Sequence, residues 1–321
     1  MSGGVTKIAV TVSEVTPVNG LVTRFRFVRS DGGPMPVFSG GAHTVVEMRD
    51  GATLRKNPYS LMGDPADSGS YSISVRRDDA GRGGSLFMHR QVKPGMAMVI
   101  SNPVNLFPLD LQARKHLMIA GGIGITPFLS QIRQLAATTG NFELHYSVRS
   151  ADVASYADRL TADFPSRVKL YHDDRKELIA IERLLGGQPL GTQLYICGPK
   201  GMINWVRKTA ETMGWPGQSV HHEEFLAPPS GKPFDVRLAV SNKTLQVGEH
   251  QSLLEAIEAA GVDAPYLCRG GVCGHCETNV LEHDGALLHN DHWLTADQHA
   301  SGKKIMPCVS RFEGKSLVLD R

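Results

Sequence analysis

A chain of 321 residues is longer than one ordinary small domain, and at about 100 to 150 residues per domain it is expected to hold two or three, each with its own core. Lys plus Arg number 34 against 32 for Asp plus Glu, a balance that offers neither the basic surface of a nucleic-acid binder nor an electrostatic pull toward an anionic membrane. No run of about 18 apolar residues is present, and the N-terminus MSGGVTKIAV lacks the apolar segment of a signal peptide, so the sequence reads as soluble and cytoplasmic.

From Val5 to about Ile100, short alternating β-branched segments such as KIAVTVSEV, LVTRFRFV, HTVVEM and YSISVRR are separated by Gly, Pro and Asp clusters, the pattern of an antiparallel barrel or sandwich. After Leu111 apolar strands alternate with amphipathic helices: HLMIAGG then PFLSQIRQLAA, FELHYSV then SYADRLTADF, VKLYH then ELIAIERLL, QLYICG then GMINWVRKTAETM. Strict alternation predicts a parallel sheet covered on both faces. LAPPSGKP (Leu226–Pro233) reads as a linker, and a third unit opens with a predicted hairpin, FDVRLAVSNKTLQVG, and a helix SLLEAIEAAG with a Ser252/Glu255 capping box and Gly261 at its end. The expected division is a β-barrel over 1–110, an α/β parallel-sheet unit over 111–225, a linker over 226–233 and an α+β unit over 234–321.

The last unit holds the strongest chemical signal. Cys268, Cys273 and Cys276 have four and two residues between them, and 31 residues separate Cys276 from Cys308. This is the spacing of a plant-type 2Fe-2S centre, in which four thiolates surround two irons and two sulfides. Gly270, Gly271 and Gly274 supply the backbone freedom for a tight loop that aims N–H groups at the sulfurs. A zinc ribbon wants a second C-x2-C pair, and a Rieske centre wants a downstream histidine that CVSR does not provide. His283, His289, His292 and His299 follow no ligand spacing and read as exposed loop histidines. His221 and His222, adjacent on a strand, are expected on opposite faces.

MIAGGIGITPFLS places Gly121, Gly122 and Gly124 at the end of a strand, with Thr126 expected as N-cap and Pro127 in the first helical turn. A helix start of this kind suits a pyrophosphate, although the usual third glycine is replaced. LYICGPKGM puts Cys197, Gly198 and Pro199 at the end of another strand, on the same carboxyl edge.

Together these pieces resemble the ferredoxin-NADP reductase superfamily, within it the phthalate dioxygenase reductase type, along essentially the whole chain. The motifs are NPYSL, GGIGITP, CGP, HHEEF and the cysteine set. The resemblance implies a flavin barrel, a nicotinamide unit and a C-terminal β-grasp-like ferredoxin, carrying FMN, NADH and a 2Fe-2S cluster. It assigns Tyr59 and Ser60 to the isoalloxazine, Ser74, Val75 and Arg76 to the flavin's pyrimidine edge, and Gly83, Gly84 and Ser85 to its phosphate. The arginine that this family places two residues before the tyrosine is Asn57 here, which leaves Arg55 as the alternative phosphate partner. Phe225 resembles the aromatic that covers the other flavin face, and Cys197 and Thr126 are expected to border the nicotinamide. Asp173 and Asp174 would repel a 2'-phosphate and favour NADH, against Arg149, which could bind one.

The implied order is NADH, flavin, cluster, external acceptor, because a hydride carries two electrons and a cluster, near about −400 mV, accepts one at a time. By resemblance the acceptor is a terminal oxygenase of Rieske type, served by a monomeric reductase. The alternatives are a diiron hydroxylase or cytochrome as acceptor, or a non-enzymatic iron–sulfur carrier.

Overall fold

The structure, a computed structural model, describes residues 6–51, 53–138 and 140–321. The N-terminal MSGGV, where no leader segment is expected, lies outside the described residues. The alternating segments form β1 (Lys7–Pro17), β2 (Val22–Arg29), β3 (His43–Asp50), β4 (Thr53–Ser60), β5 (Tyr71–Arg76) and β6 (Ala97–Ser101). They make one antiparallel sheet in the order β4-β3-β6-β1-β2-β5. A bridge between Met62, just past β4, and Ser72 in β5 brings the two edges together and curls the sheet into a barrel. Val10, Val12, Phe25, Phe27, Val46 and Ile73 fill it, and α1 (Gly84–Gln91) adds Phe87 and Met88 to the same core. Pro58 sits opposite Val45 on β4, an edge strand, where a residue without N–H is tolerated.

The second unit runs β7 (Lys115–Gly121), α2 (Thr126–Ala137), β8 (Phe142–Val148), α3 (Ala157–Asp163), β9 (Val168–His172), α4 (Ile181–Gly186), β10 (Thr192–Cys197), α5 (Lys200–Thr212) and β11 (Val220–Glu223). Its five strands are parallel, in the order β11-β10-β7-β8-β9. Along β7, Met118 and Ala120 enter one core with Phe128 and Ile132 of α2. Leu117 and Ile119 enter the other with Ile203 and Val206 of α5. Both faces are thus buried, as the near-continuous apolar strands predict. The chain moves outward from β7 to β9, then returns to β10, so the strand order reverses between β7 and β10. That reversal opens a crevice at the carboxyl ends of these two strands. The expected N-cap at Thr126 is not formed. A 3₁₀ turn, Gly122–Ile125, runs straight into α2, Thr126 is already helical, and its hydroxyl donates to the Ile123 carbonyl at 3.0 Å.

Leu226–Pro233 has no regular secondary structure. Beyond it the predicted hairpin forms as β12 (Phe234–Leu238) and β13 (Lys243–Val247). There follow α6 (Leu253–Ala259), β14 (Thr278–His283), β15 (Ala286–Leu288), α7 (Ala296–Ser301), β16 (Lys304–Ile305), β17 (Arg311–Glu313) and β18 (Leu317–Leu319). The mixed sheet β13-β12-β18-β14-β16 grasps α6 through Leu253, Leu254 and Ile257, while β15 and β17 pair separately. The capping box is complete: Ser252 Oγ accepts from Glu255 N at 3.1 Å, and Glu255 Oε2 accepts from Ser252 N at 2.8 Å. Ser252→Ala is expected to cost about 1 kcal/mol, read as a lower melting temperature of this unit by calorimetry. Among the described residues no helix is long and apolar enough to cross a membrane.

Candidate redox site

The cysteine loop occupies the turn between α6 and β14, and Cys308 reaches it from the turn between β16 and β17. The four sulfurs converge as two hydrogen-bonded pairs, Cys268 with Cys273 and Cys276 with Cys308. Gly270 N–H donates to Cys268 Sγ at 3.3 Å, and the hydrogen bond from Cys273, followed by N–H groups of the loop, holds the Cys268 thiol well below its ordinary range despite burial. Gly271 and Gly274 take φ of 72° and 76°, and a Cβ there would meet Val309 at 2.6 Å and Trp293 at 2.3 Å. Gly270, expected to share this freedom, does not use it, whereas Arg269 takes φ of 52°. Two pairs of thiols with N–H groups turned toward sulfur are the donor set that two irons require.

His289, Asp291 and His299 come together, which their spacing does not reveal, and His289 is largely buried rather than exposed. Their rings stack at 4.1 Å with planes only 19° apart, so the in-plane lone pairs do not converge on one point as shared metal ligation needs. His221 and His222 do face opposite ways: His221 stacks on Tyr195, and His222 meets His292 edge-on at 6.1 Å.

A cavity of about 310 Å³ lies between all three units. Tyr59, Ser60 and His43 from the barrel, Glu223 and Phe225 from the end of β11, and Cys268 and Cys308 from the cysteine loop share its wall. Four buried polar atoms of its wall have no hydrogen-bond partner, Ser60 Oγ, His43 Nε2, Glu223 Oε2 and Arg269 Nε. Buried polar atoms are normally paired, so this cluster of orphans marks a place for a polar ligand, and a flavin ring system fits it. Burial pushes the Glu223 carboxyl up to about 8 and His43 down to about 4, so both are neutral at pH 7. Neither was singled out from sequence. The doublet EE and the GAH stretch carry no spacing signal, and only the register of β11 beside β10, with Glu223 opposite Cys197, brings the carboxyl inside.

At the turn expected to hold the phosphate, Gly83 takes φ of 94° as N-cap of α1. Arg55 lies directly behind this turn, its Nε donating to Arg82 O at 2.7 Å, and it faces a separate cleft rather than the cavity. One of its two other guanidinium nitrogens, Nη1, is buried without a hydrogen-bond partner and lies 3.6 Å from Asp50 Oδ2 in a longer ion pair. Asn57 fills the space in front, with Nδ2 2.5 Å from where a Cβ on Gly84 would stand. The cations that line the cavity are Lys56, Arg82 and Arg269. The Ser85 hydroxyl is spent on its own loop, accepting from Asp78 N at 3.0 Å. Ser74 and Val75 do not line the cavity: the Ser74 hydroxyl lies 2.5 Å from Tyr156 Oη, and Val75 O lies 2.9 Å from His89 Nε2.

A second cleft of about 720 Å³ follows the crevice of the parallel sheet. Gly121, Gly122 and Gly124 line it together with Gly198, Pro199, Asp173, Arg149 and, from the barrel, Arg76. The two glycine motifs touch here: a Cβ on Gly124 would stand 2.2 Å from Cys197 O, and one on Gly121 2.7 Å from Pro199. Cys197 and Thr126 lie beneath this contact and line neither pocket, and burial pushes the Cys197 thiol far up. Phe225, 48% exposed, lines both the cleft and the cavity and stands between them.

Glu223 makes a pH prediction. An acid raised from 4.5 to about 8 on folding binds more protons in the folded than in the unfolded state between those values, so stability falls as pH rises through that window. Glu223→Gln removes the cost. Its melting temperature should match wild type below about pH 4.5 and exceed it by a growing margin up to about pH 8, checked by thermal scans of flavin-stripped protein across that range.

A dinucleotide-type cleft, a cavity sharing a wall with it, and four thiols on the far side of that cavity define a multi-centre oxidoreductase. The profile of a 2Fe-2S iron-sulfur cluster binding domain matches residues 236–313, and that of the dimethylamine monooxygenase subunit DmmA-like N-terminal domain matches residues 98–220. The carnitine monooxygenase reductase subunit of Acinetobacter baumannii is 43% identical over 311 residues, 96% of each chain. The haem-dependent oxidative N-demethylase beta subunit of Ectopseudomonas mendocina is 42% identical over 309 residues, again 96% of each chain. The solved structure of phthalate dioxygenase reductase, described as modular for electron transfer from pyridine nucleotides to [2Fe-2S], superposes with a TM-score of 0.89 at 34% identity over 98% of both chains. The chain belongs to the phthalate dioxygenase reductase family. It is an oxidoreductase of the kind that serves oxygenase and demethylase systems, with FMN, NADH and a 2Fe-2S cluster as its cofactors.

Proposed function

We propose that this chain takes electrons from NADH, passes them through FMN to its cluster, and delivers them to a terminal oxygenase of Rieske type. The observation that carries the reading is the single cavity whose wall holds Tyr59 and Ser60 on one side and Cys268 and Cys308 on the other. Bound flavin converts a two-electron hydride into single electrons, and the cluster carries these one at a time. Cys268 with Cys273 would hold one iron and Cys276 with Cys308 the other. Tyr59 and Ser60 would hold the isoalloxazine, with the Gly83–Gly84 turn presenting N–H groups to the phosphate and Arg55 bracing that turn from behind. Phe225 would cover the ring until nicotinamide arrives through the neighbouring cleft. Gly121, Gly122, Gly124, Gly198 and Pro199 would admit the dinucleotide backbone, while Asp173 and Asp174 disfavour a 2'-phosphate. Cys197 and Thr126 support the floor of that cleft rather than touch the reacting atoms. The division at residues 110, 225 and 233, a monomeric state and a cytoplasmic setting complete the proposal, the last supported by five free cysteines.

A second reading has its own support, since one relative is named as part of a haem-dependent demethylase, and a haem centre would then be the acceptor. The discriminating experiment is anaerobic reduction by NADH, followed by mixing with purified Rieske oxygenases and haem-dependent demethylases. Cluster reoxidation coupled to product formation with the first group alone supports the proposal, and coupling to the haem proteins alone replaces it.

A further inference from the structure

Two ionic contacts join α6 of the ferredoxin unit to the barrel. Arg82, the residue before the Gly83 turn, donates to Glu255 Oε2 at 2.7 Å and to His250 O at 3.2 Å, and the two paired side chains are only 9% and 6% exposed. The same Glu255 oxygen accepts from Ser252 N at 2.8 Å, so one carboxylate both caps the helix and holds the barrel. One helical step later, Glu258 Oε1 accepts from Lys56 Nζ of β4 at 2.9 Å and also from Arg269, the residue that follows Cys268. The Arg269 guanidinium lies 3.7 Å over the Tyr266 ring, and Lys56 Nζ lies 5.4 Å from the same ring. Glu255 and Glu258, three apart, share one face of α6.

From this arrangement we infer that Glu255 and Glu258 form a two-point clamp that sets the distance between the barrel cavity and the cysteine loop, and with it the rate of the flavin-to-cluster electron step. The inference rests on the electron order proposed above. Buried ion pairs add little net stability, because removing each charge from water offsets most of the mutual attraction. Their geometric demand is strict, however, since separating the surfaces by a small amount leaves buried charges unpaired. The linker already ties the ferredoxin unit to the α/β unit, and through it to the barrel, so the role left to these pairs is register, not affinity. Arg269 extends that register to the cluster loop itself, because its left-handed backbone and its buried side chain are both tied to the carboxylate that Lys56 holds.

Glu258→Gln and the double variant Glu255→Gln/Glu258→Gln test this. Glutamine at the third helical position still completes a capping box, so the helix is kept while both charges are removed. The holoproteins are mixed anaerobically with NADH in a stopped-flow instrument, and the flavin and cluster bands are followed separately. Flavin content should match wild type, and bleaching of the flavin by NADH should slow far less than the cluster phase. The cluster phase should slow several-fold, because electron transfer between two centres weakens steeply as their separation grows. Iron content and the electron paramagnetic resonance spectrum of the dithionite-reduced cluster should match wild type. An unchanged cluster phase in the double variant overturns the clamp, as does a slowing that merely tracks lost iron. If NADH reduces the cluster of flavin-stripped wild type directly, the electron order fails instead, whatever the variants do.

Discussion

Cys308→Ala is expected to yield a protein that still reacts with NADH and ferricyanide but carries no stable cluster and delivers no electrons to its oxygenase. Cys308 lies in the turn between β16 and β17, away from the loop that brings the other three thiols together, and it alone completes the pair with Cys276. Its removal leaves one iron with a single protein ligand. Loss of a supporting group around a metal costs about 10- to 100-fold, so loss of a ligand itself should lower delivery by more than that range. The NADH–ferricyanide rate should remain near wild type, because the cleft lined by Gly121 and Gly198 and the barrel side of the cavity are untouched. The checks are iron and sulfide analysis, the visible spectrum, and product formation in a reconstituted system. Undiminished delivery would remove the cluster from the electron path. Cluster binding and folding are coupled, so the ferredoxin unit of the variant should also melt at a lower temperature.

Gly124→Ala should have the next largest effect, on the opposite side of the molecule. The added methyl would stand 2.2 Å from Cys197 O and 2.7 Å from Gly198 N, and both neighbours are backbone, which cannot rotate aside. Either the glycine turn or the CGP turn must move. Overpacking of this kind costs about 1 to 3 kcal/mol, and here the displacement falls on the rim where the dinucleotide would lie. Reduction of the flavin by NADH should fall sharply, with a raised KM, while flavin and iron content stay at wild-type levels. Dithionite should still bleach both chromophores. A variant with unaltered NADH kinetics would show that the crevice between β7 and β10 is not the nicotinamide site.

Much of this architecture could be read locally. Alternation at period two marked β1, β2, β3 and β5, and the switch to strand–helix repeats after Leu111 marked the parallel sheet. The Ser252/Glu255 pair marked the start of α6 to the residue. These signals lie within a few residues of the feature they specify. The reading of Thr126 failed because propensity for a cap competes with the chain's path into the helix, and the 3₁₀ turn of Gly122–Ile125 had already begun the coil. The reading of His289 as exposed failed for a different reason: α7 folds back and stacks His299 on it, a contact between residues ten apart that no periodicity announces.

The cysteine spacing, the glycine turns and the order of the three units were determined by sequence alone, because each is a short-range requirement of backbone angle, ligand count or periodicity. Only the tertiary structure decided that Glu223 and His43 face one cavity, that Phe225 stands between that cavity and the dinucleotide cleft, and that Glu258 joins Lys56 to Arg269. Those partners lie tens to hundreds of residues apart, and their neutrality or pairing follows from burial, which exists only once separate surfaces have closed on one another.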